Sequence, residues 1–408
     1  MRKSSILAAS ASSMLAAPAI IHAVYANTLT PLIPDLYAGL DVVSRELVGF
    51  IPSVGRAPGV ERAAVGQSVV YHVAPEQTAF DISPAMAVPE PSDKTTGSGT
   101  MSITKSRGVA FGFTGEEQRA LNTGPGYLSV QANWFAQGLR TLVNEMEGDI
   151  ALAAALGASR AYGTAGTAPF ASGVGDSAQL RKILDDNGAP ASSRALVGST
   201  SMGANLRTNT QLTKANEAGT TMTLRDGALT DLHGFMIKES GQASTHTKGT
   251  GASATTNAAG YAVGATEITL ASAGTGTIVA GDVITFAGDT NKYVVVSGDA
   301  DVSNGGTITI AKPGLRVAIP TSATNITVGA SYTANVGFQQ DAIHLVTRLP
   351  ALPQEGDIAM DRRTIVDPRS GVAFEVALYP GYRKVRAEVA IAWGQAAVKS
   401  EYIALLLG

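Results

Sequence analysis

Residues 128–160 read LSVQANWFAQGLRTLVNEMEGDIALAAALGASR, and this stretch decides the fold. Its large apolar residues recur after four, three, four and four positions, the spacing that places side chains on one face of an α-helix. They are Phe135, Leu139, Leu142, Met146 and Ile150. At 1.5 Å per residue the helix would be a rod roughly 45 Å long. We assign its polar face to Gln131, Asn133, Gln137, Arg140, Asn144, Glu147 and Asp149.

Upstream of the rod, the sequence predicts an arm that carries one amphipathic helix. Pro34 and Asp35 suit a first helical turn, where a missing N–H is harmless and a negative charge is favoured. Gly49 and Pro52 end the helical pattern. The apolar stripe of this helix, free to dock on the body or on a neighbour, consists of Leu36, Leu40, Val43 and Leu47.

The first 26 residues look like a secretory signal. Arg2 and Lys3 form a basic start, an apolar stretch runs to Ile21, and residues 24–26 (VYA) read as a cleavage site. No later segment reaches the roughly 18 uninterrupted apolar residues that a membrane helix needs. The apolar stretch of the leader is interrupted at Ser10, Ser12, Ser13 and Pro18.

A long β-rich excursion lies between the arm and the rod. Residues 68–74 (SVVYHVA) and 100–113 (TMSITKSRGVAFGF) read as strands. The connection between them holds four prolines, which cannot donate to a β-ladder, so its tip is predicted to be an extended arm. A connection of this length is unusual inside a compact domain and suits contact with another subunit. The four prolines are Pro75, Pro84, Pro89 and Pro91.

The rod is followed by shorter elements. Asp176 is predicted to cap a short helix that stops at Asn187 and Gly188. A strand is expected at residues 194–198 and a helix around 204–207. Further strands are expected at residues 233–239, 341–348, 372–379, 383–393 and 404–407. In the strand at 383–393, Val385, Ala387, Val389 and Ile391 alternate with Lys384, Arg386 and Glu388, the period of a half-buried strand.

Residues 243–336 differ in composition from the rest of the chain. Ala, Gly, Thr, Ser and Val dominate, and helical periodicity is absent. Five short strand candidates alternate with turn signals, a spacing typical of a small barrel or sandwich. The strands predicted on either side of this segment, at residues 233–239 and 341–348, could be neighbours in one sheet. We therefore interpret the segment as an insertion. The candidates lie at residues 267–271, 282–286, 293–297, 307–311 and 325–328.

Composition narrows the function classes. Charged residues make up only 15% of the chain, against the roughly 25% usual in soluble domains, so much of the surface is expected to be covered by copies of itself. A weakly charged monomer is the alternative. The net charge of −3 gives no bulk positive field for binding phosphates. There is no cysteine, which excludes disulfides, thiolate nucleophiles and cysteine metal sites.

We assign no catalytic, cofactor-binding or metal-binding residues from the sequence. Ser199 and Ser201 lie between a strand and a helix, but their surroundings do not match G-x-S-x-G, so a plain turn is the better interpretation. The glycine clusters at 249–251 and 274–276 lack dinucleotide or P-loop spacing. Asp282, Asp289, Asp299 and Asp301 could gather around calcium, although hairpin turns explain them better. No two histidines show metal-ligand spacing; they are His22, His72, His233, His246 and His344.

From Ala26 to Gly408 the chain resembles the major coat proteins of tailed bacteriophages, of the type in short-tailed lambdoid Salmonella phages and related prophages. The resemblance rests on the order of several stretches rather than on one specific motif. They are residues 26–34 (ANTLTPLIP), 41–46 (DVVSRE), 161–167 (AYGTAGT), 281–288 (GDVITFAG) and 341–343 (DAI).

The resemblance implies an α+β fold of the tailed-phage major capsid type with an inserted all-β barrel. The expected parts are a leader or upstream extension (1–25), an N-terminal arm (26–65), an extended β-loop (66–113), and a spine helix with peripheral domain (114–175). They continue with the first part of an axial domain (176–242), the inserted barrel (243–336) and a C-terminal axial and peripheral part (337–408).

The function implied is that of a non-enzymatic major capsid protein with no cofactor. It would assemble with itself into the hexamers and pentamers of an icosahedral shell, together with scaffolding and portal proteins, around double-stranded DNA held as non-specific contents. It would act in the virion and assemble in the host bacterial cytoplasm without a membrane, so residues 1–25 are interpreted as an upstream extension or a misassigned start. The alternative is a secreted surface-layer or adhesin protein, with a hydrolase a distant third.

Overall fold

The computed structural model describes residues 47–73, 97–121, 127–214, 226–229, 231–367 and 371–408. The leader, most of the predicted arm helix and the tip of the β-loop lie outside these residues. The described chain is a mixed α and β structure, in agreement with the α+β prediction. Its helices are α1 (Gly115–Leu121), α2 (Tyr127–Leu156), α3 (Gly175–Asp186), α4 (Thr200–Thr208) and α5 (Thr210–Thr213).

Nineteen strands are found among the described residues. The first eight are β1 (Gly55–Ala63), β2 (Ser68–Val73), β3 (Gly97–Ser102), β4 (Lys105–Thr114), β5 (Arg160–Gly163), β6 (Arg194–Gly198), β7 (Phe235–Glu239) and β8 (Thr245–His246). The next five are β9 (Glu267–Leu270), β10 (Val283–Phe286), β11 (Lys292–Ser297), β12 (Gly306–Ile310) and β13 (Ile326–Val328). The last six are β14 (Tyr332–Gln339), β15 (Ile343–Pro350), β16 (Asp361–Val366), β17 (Ala373–Gly381), β18 (Lys384–Ala397) and β19 (Ile403–Leu407).

The predicted rod is the 30-residue helix α2. All five residues of its predicted apolar stripe are buried, so the helical period read from the sequence is confirmed. The predicted polar face is wrong at two positions, because Gln131 and Glu147 are buried too. Residues three or four apart lie on one face of a helix, and Glu147 stands four residues from both Val143 and Ala151, which are also buried.

Helix α2 packs against a six-stranded sheet through β4 and β18. The strand order is β1-β15-β18-β17-β16. Strand β15 pairs with the C-terminal part of the long strand β18 and β17 with its N-terminal part, and β4 pairs along the opposite edge of β18. Only the β1–β15 pair in this sheet is parallel. Along β18, Val389 and Ile391 are buried under the helix, as the predicted alternation of this strand requires.

A second sheet lies beside the first and shares its hydrophobic core. Its order is β13-β10-β11-β5-β19-β14-β6-β7, with β8, β9 and β12 attached to it. The predicted C-terminal strand is β19, every residue of which is buried between β5 and β14. Helix α3 contacts β19 and β5 and contributes Leu180 and Leu184 to a smaller cluster.

The five strands predicted inside residues 243–336 are β9 to β13, each within two residues of its predicted bounds. They surround a separate hydrophobic cluster whose fully buried members include Ile268, Ile284 and Ile308. Two findings differ from the predicted boundaries. Strand β11 also pairs with β5 of the body, and residue 336 falls inside β14, a strand of the second sheet.

Two local predictions need correction. Residues 100–113 are strand as predicted except at Ile103 and Thr104, which separate β3 from β4 and where Ile103 is buried against the first sheet. Asp176 does not cap helix α3, whose N-cap is Val174 without a side-chain hydrogen bond. The Asp176 carboxylate instead accepts the N–H of Phe170 at 2.7 Å.

We predict that residues 243–336 fold as an independent β-domain. Every member of their hydrophobic cluster lies within the segment, so the core does not need the helices to form. The isolated segment should give a β-type circular dichroism spectrum and a cooperative melt. Replacing the buried Ile308 with Ala should lower its stability by about 2–5 kcal/mol. A disordered spectrum for the unsubstituted segment would contradict the prediction.

Candidate interaction surfaces

The serines singled out in the sequence take part in a helix cap. Ser199 is the N-cap of α4, and its Oγ accepts the N–H of Met202 at 3.4 Å. Both Ser199 and Ser201 border a shallow hollow of about 310 Å³ beside the C-terminal Gly408. The geometry at Ser199 is that of a capped turn.

Each of the four aspartates accepts backbone N–H groups. Asp282 is buried and accepts the N–H groups of Gly249 and Val279. Asp289, Asp299 and Asp301 accept N–H groups two residues further along, as Asx turns do. In the ranges that the structure describes, no three His, Cys, Asp or Glu side chains come together as a metal site would require.

The glycine clusters and the histidines also have local contacts. Residues 249–252 run beside 275–277, and a Cβ on Gly276 would lie 2.4 Å from the Thr250 carbonyl oxygen. His246 Nε2 lies 2.9 Å from Asp282 Oδ1, and His233 Nδ1 lies 2.8 Å from Ser177 Oγ. The His344 ring lies against Gly55. His22 and the side chain of His72 lie outside the described residues.

A carboxylate in the middle of α2 holds the chain where it enters the body. Glu147 Oε1 accepts the N–H groups of Gly49 and Phe50 at 2.6 and 2.7 Å, and Oε2 accepts that of Ile51 at 2.9 Å. Ser240 gives the same carboxylate a further hydrogen bond. Burial raises the pKa of Glu147, while these hydrogen bonds act in the opposite direction.

Sequence reasoning missed Glu147 because a Glu between Met146 and Gly148 reads as a surface residue. Its partners are backbone N–H groups about 100 positions earlier in the chain. No pattern of side chains in the sequence predicts such a contact. The one available signal was positional, since residue 147 stands four residues from Val143 and Ala151 and so shares their helix face.

The excursion between the arm and the rod is a two-stranded hairpin at its base. Strands β2 and β3 pair in antiparallel register from Ser68–Ser102 to Val73–Gly97 and form a sheet of their own. Met101 and Ile103 anchor this base in a small cluster with Val346 and Ala392 of the first sheet. The described part of the hairpin is thus attached to the body at one end.

The close approach of the hairpin to the sheet requires a glycine in β18. A Cβ on Gly394 would lie 2.0 Å from the Ser102 carbonyl oxygen and 3.1 Å from the Ile103 Cα. Ile103 donates its N–H to Gln67 at 2.8 Å, which closes the base of the hairpin. Gly394 therefore sets where the hairpin leaves the body.

Charged contacts connect the strand that follows the hairpin to α2. Lys105 Nζ lies 2.8 Å from Asp149 and 3.1 Å from Glu145, and the hydrogen bond with Asp149 raises the pKa of Lys105. Arg107 also pairs with Glu145. The indole N–H of Trp393 donates to Asp149 at 3.0 Å, so β4, β18 and α2 meet at this carboxylate.

The turn between β17 and β18 carries an exposed apolar surface. Tyr382 is 88% exposed in this turn, and Ile358, two residues before Met360, is 75% exposed. Beside Tyr382 an open groove of about 730 Å³ is lined on its apolar side by Phe113, Met360, Pro380, Tyr382 and Val385. Glu116, Arg383 and Lys384 line its polar side, so the groove has no dominant sign of charge.

Among the described residues, no helix is both long and apolar enough to cross a membrane. No protein-family profile and no curated protein matches the chain in sequence.

Several solved structures from phages and related particles are similar to this chain. One, from Mycobacterium phage Che8, is 16% identical over 85% of this chain and 88% of its own, with a TM-score of 0.42. The capsid structure of the cyanophage P-SCSP1u is 12% identical over 86% of each chain, with a TM-score of 0.47. A virus-like particle from Pyrococcus furiosus is 10% identical over 92% of this chain and 98% of its own, with a TM-score of 0.40.

We predict that Gly394→Ala loosens the base of the hairpin. The new methyl group would overlap the Ser102 carbonyl, and overpacking of this kind costs about 1–3 kcal/mol. The melting temperature should fall, and hydrogen exchange at the Ile103 amide should accelerate. Gly115→Ala is the control, because nothing lies within 4 Å of a Cβ at that position. Equal melting temperatures for the two variants would contradict this account of Gly394.

Proposed function

We propose that this chain is the major capsid protein of a tailed bacteriophage, which assembles with copies of itself into an icosahedral shell. The proposal rests on the sequence resemblance over residues 26–408 and on surfaces that are only partly covered by packing within the described subunit. The observation that carries it is the hairpin β2–β3.

Among the described residues, β2 and β3 pair only with each other. A two-stranded hairpin by itself is marginally stable in water, and stability usually needs a third strand or a packing partner. The cluster around Met101 and Ile103 supplies a partner at the base alone. A neighbouring copy of the same protein would supply the rest, since every subunit in a shell meets an equivalent neighbour.

The apolar surface at Tyr382 supports the same function. Large contiguous apolar patches on a protein surface mark sites of protein contact, and the groove beside Tyr382 brings Phe113, Met360, Pro380 and Val385 together with it. Tyr382 and Ile358 are the two most exposed large apolar residues among those that the structure describes. We assign this surface to contact between subunits.

The inserted barrel is part of the proposal. Strands β9, β12, β11, β10 and β13 are neighbours in that order. Bridges from Thr256 to Leu270 and from Thr255 to Asn325 bring the two outer strands together. Such a ring around one hydrophobic cluster favours a small closed barrel over an open sheet.

The remaining parts of the proposal follow from the resemblance. The division into arm, β-loop, spine helix, peripheral domain and axial domain keeps the boundaries given above, with the end of the barrel moved to just before β14. Scaffolding and portal proteins would be assembly partners. The DNA would be enclosed as non-specific contents, as the net charge of −3 suggests. Assembly would take place in the bacterial cytoplasm, and residues 1–25 would have no part in it.

Electron microscopy of the purified protein, with sedimentation over a range of concentrations, tests the proposal. Closed, curved shells are expected. Flat arrays would favour a surface-layer protein instead, and a protein that stays monomeric at every concentration would contradict self-assembly.

We predict that deleting residues 79–98 blocks or distorts assembly and leaves the stability of the subunit nearly unchanged. The sequence of this segment contains three of the four prolines of the loop, and its tip at residues 92–98 is poor in apolar residues. Ordering it in an interface costs roughly 1–2 kcal/mol per residue, which only contacts with other subunits would offset. The measurements are a melt of the subunit and sedimentation of the assembly reaction. A large fall in melting temperature would show that the loop packs within its own subunit.

We predict that Tyr382→Ser reduces shell yield at least about tenfold, the factor that corresponds to roughly 1.4 kcal/mol lost per contact. The melting temperature of the subunit should change little, because an exposed side chain contributes little to folding. Val263→Ser is the matched control, since Val263 is 61% exposed on the proposed barrel and far from the groove in sequence. Shells formed by Tyr382→Ser at the yield of the control would remove this surface from the proposed interface.

A further inference from the structure

Residues 49–51, the root of the N-terminal arm, are held against α2 by an uncommon kind of contact. A carboxylate with no exposed surface accepts three consecutive backbone N–H groups, those of Gly49, Phe50 and Ile51. Burying a charge is costly unless it is paired or fully hydrogen-bonded. An apolar side chain at position 147 would fill the space without the free-energy cost of removing a carboxylate from water. The role of the carboxylate is therefore to bind the three N–H groups.

These three N–H groups belong to a turn that cannot satisfy them itself. Ser53 and Val54 donate their N–H groups back to the Phe50 carbonyl, and Ser53 Oγ donates to the Gly49 carbonyl at 2.6 Å. The turn therefore begins like a helix, whose first N–H groups have no partner within the helix. Glu147 caps it from a distant helix, and one oxygen of a neutral side chain could not serve all three groups as well.

The backbone at Gly49 and Phe50 is packed closely against its neighbours. A Cβ on Gly49 would lie 2.5 Å from Val197 Cγ1 and 2.8 Å from the Glu239 carbonyl oxygen. The Phe50 ring stacks on Phe338 with the ring centres 6.1 Å apart. Leu47 accepts the N–H of Gly241 at 3.2 Å, so the chain is held on both sides of the cap.

A positive side chain of the second sheet lies near the clamp. Lys238 on β7 donates to Ser53 Oγ at 2.9 Å, and it lies near enough to interact with Glu147. Arg56, on the strand that follows the turn, lies near enough to interact with Lys238.

We propose that Glu147 is a positioning residue for assembly: it clamps residues 49–51 to α2, so that every subunit presents this root of the arm to its neighbours in the same orientation. This proposal rests on the proposed capsid function. In it, the Glu147 carboxylate sets the direction of an interaction arm and is dispensable for folding of the body.

The test uses two variants of the full chain. Glu147→Leu removes the acceptor while keeping an apolar filling, so the three N–H groups can be satisfied only if the arm root moves out to water. Glu147→Gln keeps the size and one acceptor oxygen but turns an NH₂ group toward one of the N–H groups. With the oxygen kept at the Oε1 position, Ile51 is the residue that loses its partner.

Hydrogen exchange of the soluble subunit is the first measurement. In Glu147→Leu, exchange at the amides of Gly49, Phe50 and Ile51 should accelerate at least about tenfold, the factor that corresponds to one net hydrogen bond. In Glu147→Gln, Ile51 should accelerate most. Glu145→Gln is the control, because Glu145 binds Lys105 and Arg107 rather than the arm root. Exchange at residues 49–51 should be unchanged in the control.

The second measurement compares subunit melting with shell formation. Both variants should melt within a few degrees of the parent protein and yield fewer or misshapen shells by electron microscopy. Shells of normal size and yield, or unchanged exchange at residues 49–51, would overturn the proposal. If Glu147→Leu does not fold, Glu147→Gln decides by the same two outcomes. If the parent protein forms no shells, the proposed function fails, while the exchange result still reports on the clamp.

Discussion

The rest of the structure depends on the packing of α2 against the strands on either side of it. The apolar stripe of this helix lies against β4 and β18 of the first sheet and β14 of the second. Phe135, Leu139, Met146 and Ile150 are fully buried in the cluster that joins the two sheets. Burying each side chain of this kind is worth about 1.5–3 kcal/mol. Without the helix, neither sheet would have a covered inner face.

Buried polar contacts then fix how the extended parts are attached to this core. Glu147 holds the root of the arm, and Asp149, half a turn along the same helix, binds both Lys105 and Trp393 beside the base of the hairpin. Arg160, four residues after the helix, donates to Asn291 at the junction with the β-rich segment. Apolar packing is not directional, whereas these hydrogen bonds are, so they determine the angle at which each part leaves the body.

This arrangement agrees with the capsid function that we propose. Residues 49–51, the base of the hairpin and the β-rich segment are each held to α2, or to the chain just after it, by directional contacts. Extended parts bury interface area far from the body, and a fixed angle at each root lets every copy present them in the same way. Ser199 takes part in a helix cap, and Asp282 accepts the N–H groups of Gly249 and Val279.

The amino-acid sequence by itself determined the elements whose pattern is local. The four-and-three spacing of Phe135 to Ile150 gave the rod, the alternation along residues 383–393 gave β18, and the turn signals between residues 267 and 328 gave five strands. Such patterns can be read because a helix or strand shows its buried face every 3.6 or 2 residues.

The tertiary structure alone decided which strands pair across long separations and which charges are buried. Strand β11 joins β5 about 130 residues away, and Glu147 meets N–H groups 96 to 98 residues away. Gly394 is needed only because Ser102 happens to cross over it. The backbone groups in these contacts are the same in every residue, so side-chain patterns carry no record of them.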